Sequence, residues 1–148
     1  MTHSDIDLAL EELAEGEKYW AETSLERRRA LLDEVRALTV RHADEWVRAA
    51  ASIKGLDAES PLLGEEWLSG PYALATALAA LADSIGRLAA GGSPLDGARF
   101  GTAPGDRLTV QALPLNTFDR LLLSGFSAEV WLQPGIGRTE AIGAAALD

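Results

Sequence analysis

The chain contains no cysteine, which excludes disulfides, thiolate nucleophiles and every zinc site built on sulfur. Histidine is nearly absent as well. His3 and His42 are the two present, too few for multi-histidine metal sites and a poor basis for a histidine triad. Bases are scarce: 13 Lys and Arg stand against 23 Asp and Glu, a formal net charge of −10. Nucleic-acid phosphates demand a basic stripe, so no nucleic-acid partner is expected. Long apolar runs are missing too. Tyr72 to Ala82 comes nearest, carries Thr76 inside it, and falls short of the roughly 18 residues of a membrane span. The start, Met1-Thr2-His3-Ser4-Asp5, has neither the basic nor the apolar region of a signal peptide. These absences predict a cytoplasmic chain, without a membrane partner, poorly equipped for chemistry.

What is present is length and apolar content. The 148 residues are 47% hydrophobic, a domain-sized chain with enough apolar surface for a real core and too much for charge-driven disorder. The acidity is concentrated early. Residues 1–67 carry sixteen acids and eight bases, residues 68–148 seven and five. The largest basic cluster, Arg27, Arg28 and Arg29, lies among Glu26, Asp33 and Glu34 and reads as an ordinary solvated helix face.

The first part of the chain has helical periodicity. Ser4 with Asp5 and Asp7 suits a helix start. Ile6, Leu10, Leu13 and Trp20 then form an apolar stripe interrupted by Glu17, ending near Ala21. Thr23 to Glu26 has the spacing of a capping box. Beyond it Leu31, Val35, Leu38, His42 and Trp46 recur at helical steps with Leu32, Thr39 and Ala43 beside them, predicting a stripe about 100° wide or more on one long helix or two broken near His42. Gly55 is a stop signal. Residues 56–70 read as a connection with a helical turn over Leu63–Leu68. Pro71 opens an alanine-leucine helix with its stripe at Leu74, Leu78, Leu81, Ile85 and Leu88, so apolar that it calls for cover on more than one side.

After Gly91-Gly92 the texture changes. Ser93–Asp106 reads as loop, Leu108–Leu113 as a strand by alternation, Asn116 or Thr117 as the cap of a helical turn over Phe118–Leu123, and Phe126–Leu132 as a second strand. Residues 138–148 are undecided between helix and strand. The expected class is therefore mainly α with a short C-terminal β portion (α+β). Residues 1–92 form the helical segment and residues 93–148 the loop and strand segment of one incomplete domain. One or two strands need external partners, because so few do not make a stable sheet.

Candidate chemistry is thin. Gly135-Ile136-Gly137-Arg138-Thr139-Glu140 begins like a dinucleotide loop, but Glu140 occupies the third glycine position and too little chain follows for a βαβ unit. A turn is the better reading. Glu65 and Glu66 are paired in sequence but, as neighbours, point in different directions; one is expected to cap or salt-bridge and the other to be solvated. Asp119 and Arg120, after Asn116, read as a structural ion pair. His42 reads as a core or boundary histidine and His3 as part of a frayed end. Trp20, Trp46, Trp67 and Trp131 read as core packing, with Trp67 able to plug a neighbouring surface. No catalytic, cofactor-binding or metal-ligating residue is assigned.

Three stretches nevertheless resemble a family. KGLDAESPLLGEEWLSGP (Lys54–Pro71), RLTVQALPLNTFDRLLLSGFSAEVWLQPG (Arg107–Gly135) and the capped helix TSLERRRALLDEVRAL (Thr23–Leu38) are similar to the N-terminal region of a bacterial group within the aldehyde dehydrogenase superfamily. The likeness spans nearly all of this chain but about the first quarter of a typical member. It implies an NAD- or NADP-dependent aldehyde oxidation through a cysteine thiohemiacetal, hydride transfer and glutamate-assisted hydrolysis. With no cysteine and no dinucleotide loop, none of the family's catalytic residues carries over to a position here. What the resemblance implies is architecture: a helical layer covering a cofactor domain, and strands feeding a sheet used in oligomerisation.

The expected function is thus an N-terminal fragment of an aldehyde dehydrogenase-like oxidoreductase, inactive alone. It arises by truncation of the gene model or as a split gene product, and its partner is the remainder of the parent enzyme or another subunit. The alternative is a self-contained helical assembly module, a possible homo-oligomer without enzymatic activity. A small enzyme using Glu65, Glu66 or Asp119 is the least favoured reading.

Overall fold

The structure, a computed structural model, describes residues 3–146, the side chains of His3 and Ser4 excepted; the expected cap at Ser4 therefore lies outside the described residues. Helices dominate and a three-stranded antiparallel sheet lies toward the C-terminus, an α+β chain. It divides into two compact units, residues 1–89 and 90–148.

In the first unit, α1 (His3–Glu22), α2 (Leu25–Arg41) and α3 (Ala43–Lys54) are followed by α4 (Leu63–Trp67), a π-helical turn (Leu68–Tyr72) and α5 (Ala73–Ala89). The break between α2 and α3 falls on His42. Gly55 adopts φ 67°, and the Gly55 and Leu56 N–H groups close back onto Ser52 and Ala51, ending α3 in a left-handed turn that a Cβ would strain. Gly70 leaves helical backbone values just before Pro71, so the proline sits where its missing N–H costs nothing.

The core of this unit is narrow and built from small residues: Thr39, Ala43, Val47, Ala51, Leu78 and Ala82. Helix α2 packs along α5. At their approach the Arg29 guanidinium lies 2.8 Å from where a Cβ on Gly86 would stand. The stripe expected from the periodicity faces this core only by its flank at Thr39 and Ala43. Val35, Leu38, His42 and Trp46 are exposed, and the neighbouring series Thr39, Ala43, Val47 and Ala51 is buried instead. Small side chains at four-residue steps let helices approach more closely than the bulky stripe allows. On α5, Leu78 is buried while Leu74 and Leu81 remain partly open.

Helix α1 contributes nothing to the core of its unit: every residue from Asp5 to Glu22 is exposed. Its junction with α2 is nonetheless tightly tied. Ser24, not Thr23, caps α2, its hydroxyl accepting from the Arg27 N–H at 3.3 Å, while the Thr23 hydroxyl donates to the Tyr19 carbonyl. The expected box does not form: the cap falls one residue later, on Ser24 with its extended backbone, so the third helical position is Arg27 and not Glu26. The Glu26 carboxyl is held below its ordinary range by its own backbone N–H and by the Ser24 hydroxyl. Arg28 donates to the Thr23 and Trp20 carbonyls and stacks over the Trp20 ring at 4.8 Å. The arginine cluster is therefore more than a solvated face: Arg28 satisfies carbonyls at the C-terminus of α1.

In the second unit, β1 (Phe100–Ala103), β2 (Arg107–Leu113), α6 (Thr117–Leu122), β3 (Ala128–Trp131) and α7 (Arg138–Ala145) follow in order. The sheet order is β1-β2-β3, both pairs antiparallel, with Phe100, Val110 and Val130 aligned across it and Gly101, Thr109 and Trp131 beside them. Two expectations are corrected here. Residues 93–106 are not all loop, since β1 forms within them across a tight turn at Gly105 and Asp106. The strands also find their pairing inside the unit, three rather than one or two. β1 was hidden because Phe-Gly-Thr-Ala lacks alternation and borrows its register from β2. Residues 138–145, undecided by pattern, form α7, with Ala141 buried and the Ser93 hydroxyl donating to the Ile142 carbonyl at 2.9 Å.

Candidate functional site

Of the three acidic residues singled out by sequence, Glu66 and Asp119 are engaged structurally. Glu66 is buried on α4 and pairs with Lys54 Nζ at 2.5 Å, while Glu65 is exposed. The two carboxylates diverge, as adjacent helical residues must. The hydrogen bond to Glu66 raises the Lys54 pKa above its ordinary value, against a smaller opposing effect of desolvation.

Asp119 is buried in the second unit, but its partner is not Arg120. Its carboxylate accepts from the Leu115 and Asn116 N–H groups at 2.7 and 3.3 Å, and its own N–H donates to Asn116 Oδ1 at 3.0 Å. This is a reciprocal capping box at the start of α6. Backbone donors beside the cap saturate the carboxylate, so the expected ion pair is replaced.

His42 is not a core histidine either. It lies exposed at the junction of α2 and α3, its Nδ1 2.9 Å from Glu45 Oε2. His3 begins α1, its side chain outside the described residues. Gly137 caps α7, with Gly135 at φ 85° in the turn before it. Glu140 occupies the first turn of α7, where a pyrophosphate would need donors, and the Arg138 guanidinium is stacked on Phe100 at 4.7 Å. These residues do not fit a dinucleotide. Among the described residues no group of three or more His, Asp or Glu side chains is placed to hold a metal ion, and no helix is long and apolar enough to cross a membrane.

The four tryptophans are not core residues. Each is 41–50% exposed, two of them under a guanidinium: Arg28 over Trp20 and Arg107 over Trp131. Trp67 stands between two open clefts of the first unit. One, of about 480 Å³, is lined by Val47, Ala51, Leu56 and Leu63 with the Asp44–Arg48 pair; the other, of about 350 Å³, by Val40, Ala43, Pro71 and Tyr72. Such shallow apolar clefts suit side chains of another polypeptide better than a reacting substrate, which needs convergent polar groups.

The most conspicuous surfaces are apolar. In the second unit Leu115, Phe118, Leu121, Phe126 and Val130 are each more than half exposed, and every residue of β3 is exposed. In the first, two stripes stand open, Ile6-Leu10-Leu13-Trp20 on α1 and Val35-Leu38-Trp46 on α2 and α3. Periodicity locates both stripes; that the second faces outward was not legible, since periodicity fixes a face and not its direction. No protein-family model matches this chain, and neither a curated protein nor a solved structure matches it.

Proposed function

We propose that this chain serves as the N-terminal, non-catalytic part of an NAD(P)-dependent aldehyde dehydrogenase-like oxidoreductase, its apolar faces covered by the remainder of that enzyme. The observation that carries the reading is the surface of the second unit. Phe118, Leu121 and Phe126 are 73%, 75% and 71% exposed on the segment that joins β2 to β3, an edge strand whose residues are all exposed. An open strand edge and large apolar side chains left in water are surfaces built to be covered. The buried acids agree with a supporting role, since Glu66 and Asp119 spend their carboxylates on Lys54 and on a helix cap. Thiolate attack and hydride acceptance belong, on this reading, to residues and a cofactor supplied by the rest of the enzyme.

The test is to sequence the transcript beyond codon 148 and express whatever continuous or neighbouring frame it encodes. A cysteine-bearing body that, joined to this chain, reduces NAD⁺ or NADP⁺ with an aldehyde is the expected result. An immediate stop without such a neighbour, together with a cooperative melt and no apolar-dye binding by the 148 residues, overturns the reading. The alternative, a helical assembly module without enzymatic activity, draws on the exposed stripe of α1.

A further inference from the structure

Asp96-Gly97 is the one Asp-Gly pair of the sequence, and no Asn-Gly pair occurs. Every other aspartate that has a successor is followed by a residue with a side chain. The pair lies in the second unit, in the connection between α5 and β1, and both residues are exposed. Gly97 stands at φ 76° with nothing within 4 Å of the point where a Cβ would be. No side chain of its own therefore shields its amide nitrogen from the preceding carboxyl group.

The same carboxylate has a structural duty. Its Oδ2 accepts the Ser93 N–H at 2.7 Å, and the Asp96 N–H donates to the Ser93 carbonyl at 3.0 Å. Ser93 is buried; its hydroxyl accepts from the Leu95 N–H and donates to the Ile142 carbonyl. That carbonyl belongs to the last turn of α7, where a helix has no donor of its own to offer. The turn at Asp96 thus positions the group that closes the end of α7.

We infer that Asp96 is a site of spontaneous conversion to isoaspartate, and that the conversion releases the end of α7. The Gly97 nitrogen attacks the Asp96 side-chain carboxyl carbon in its acid form. The new N–C bond closes a five-membered succinimide, and the carboxyl hydroxyl leaves as water with the amide proton. A second water adds to the main-chain carbonyl carbon of Asp96 and breaks its old bond to the Gly97 nitrogen. One water leaves and one returns, so composition and oxidation state are unchanged. The main chain then runs through the Asp96 Cβ, one carbon longer, and the former carboxyl carbon has become its amide. The Ser93 N–H loses the carboxylate that held it, and the Ser93 hydroxyl moves with its backbone away from Ile142. What appears instead is a free α-carboxylate on an exposed turn, the group that a carboxyl methyltransferase using S-adenosylmethionine esterifies. Ring closure is intramolecular, so its rate is independent of protein concentration. The inference uses the second unit alone and does not rest on the oxidoreductase reading.

The test holds the folded 148-residue chain at neutral pH and physiological temperature and withdraws samples over time. Each is digested with trypsin, and the peptides are methylated by a protein-isoaspartate methyltransferase with radiolabelled S-adenosylmethionine. Label is expected in the peptide of residues 88–99, rising with time at a rate independent of concentration. Asp96→Asn keeps an oxygen for the Ser93 N–H and expels ammonia in place of water, so it labels several-fold faster. Asp96→Glu closes no five-membered ring and loses the label. In the aged parent, amide exchange at Ile142–Ala145 splits into two populations, the fast one growing in step with the label. Label that appears only in chains held unfolded in urea, label confined to other peptides, or an Asp96→Asn chain no faster than the parent overturns the site. Unchanged exchange in α7 of labelled chains overturns the release.

Discussion

The hydroxyl of Thr109 lies 2.8 Å from the point where a Cβ on Gly101 would stand. The two residues are register partners on β2 and β1, and Thr109 is fully buried. The glycine is needed for its missing side chain: the threonine occupies that space. Gly101→Ala is expected to destabilise the second unit by about 1–3 kcal/mol through overpacking, measured by urea unfolding, and Thr109→Ala in the same chain to recover most of the loss.

The same hydroxyl has no hydrogen-bond partner among the described residues. Replacing a buried unsatisfied hydroxyl by a methyl group removes a desolvation cost without changing shape. Thr109→Val is therefore expected to be neutral or stabilising by up to about 1 kcal/mol. A loss above that size in the urea midpoint would show that the hydroxyl has a polar duty.

Asp119 and Arg120 separate two explanations of one motif. If the capping box holds α6, Asp119→Ala lowers stability by about 1–2 kcal/mol, whereas Arg120→Ala stays within about 0.5 kcal/mol. Equal losses in thermal melts of the two variants would restore the ion pair as the organising contact.

Arg28 ties the end of α1 to the start of α2 through two carbonyls and the Trp20 ring. Arg28→Lys keeps the charge but loses the planar fork. Amide exchange at Trp20, Ala21 and Glu22 is expected to accelerate about tenfold, the equivalent of roughly 1.4 kcal/mol, with exchange in α5 unchanged.

The Lys54–Glu66 pair gives the first unit an alkaline limit. Lys54 is raised in the folded chain, so its contribution is fully present below the ordinary lysine value of about 10.4 and is lost as pH rises through the folded value. Lys54→Met should flatten that branch of the melting temperature against pH. Glu26 acts at the opposite end: lowered in the folded chain, it contributes above about pH 4.3 and loses its effect as pH falls. Glu26→Gln should flatten the acid branch and leave the alkaline one alone.

The sequence made the class, most helices and the central strand legible because these rest on local signals: period, caps, glycine stops and alternation. What escaped depends on partners. β1 exists because β2 offers it a register, and α7 because Ala141 finds cover. Arg28, on the Trp20 and Thr23 carbonyls, and Arg107, on the Leu132 carbonyl, were invisible as clamps because backbone acceptors leave no mark in a sequence. The stripe through Val35 and Leu38 was located correctly but its centre was misplaced, since its flank at Thr39 and Ala43, continued by Val47, allows closer helix approach and wins the inside.

An isolated helix of α1's length is marginal in water, and a helix with no buried residue from Asp5 to Glu22 relies on its backbone bonds and on the Arg28 contacts at its C-terminal end. Warming should therefore unwind α1 before the α2–α5 pair melts. Far-ultraviolet circular dichroism would record that early loss as the ellipticity of those 20 residues, ahead of the main transition and without any added label.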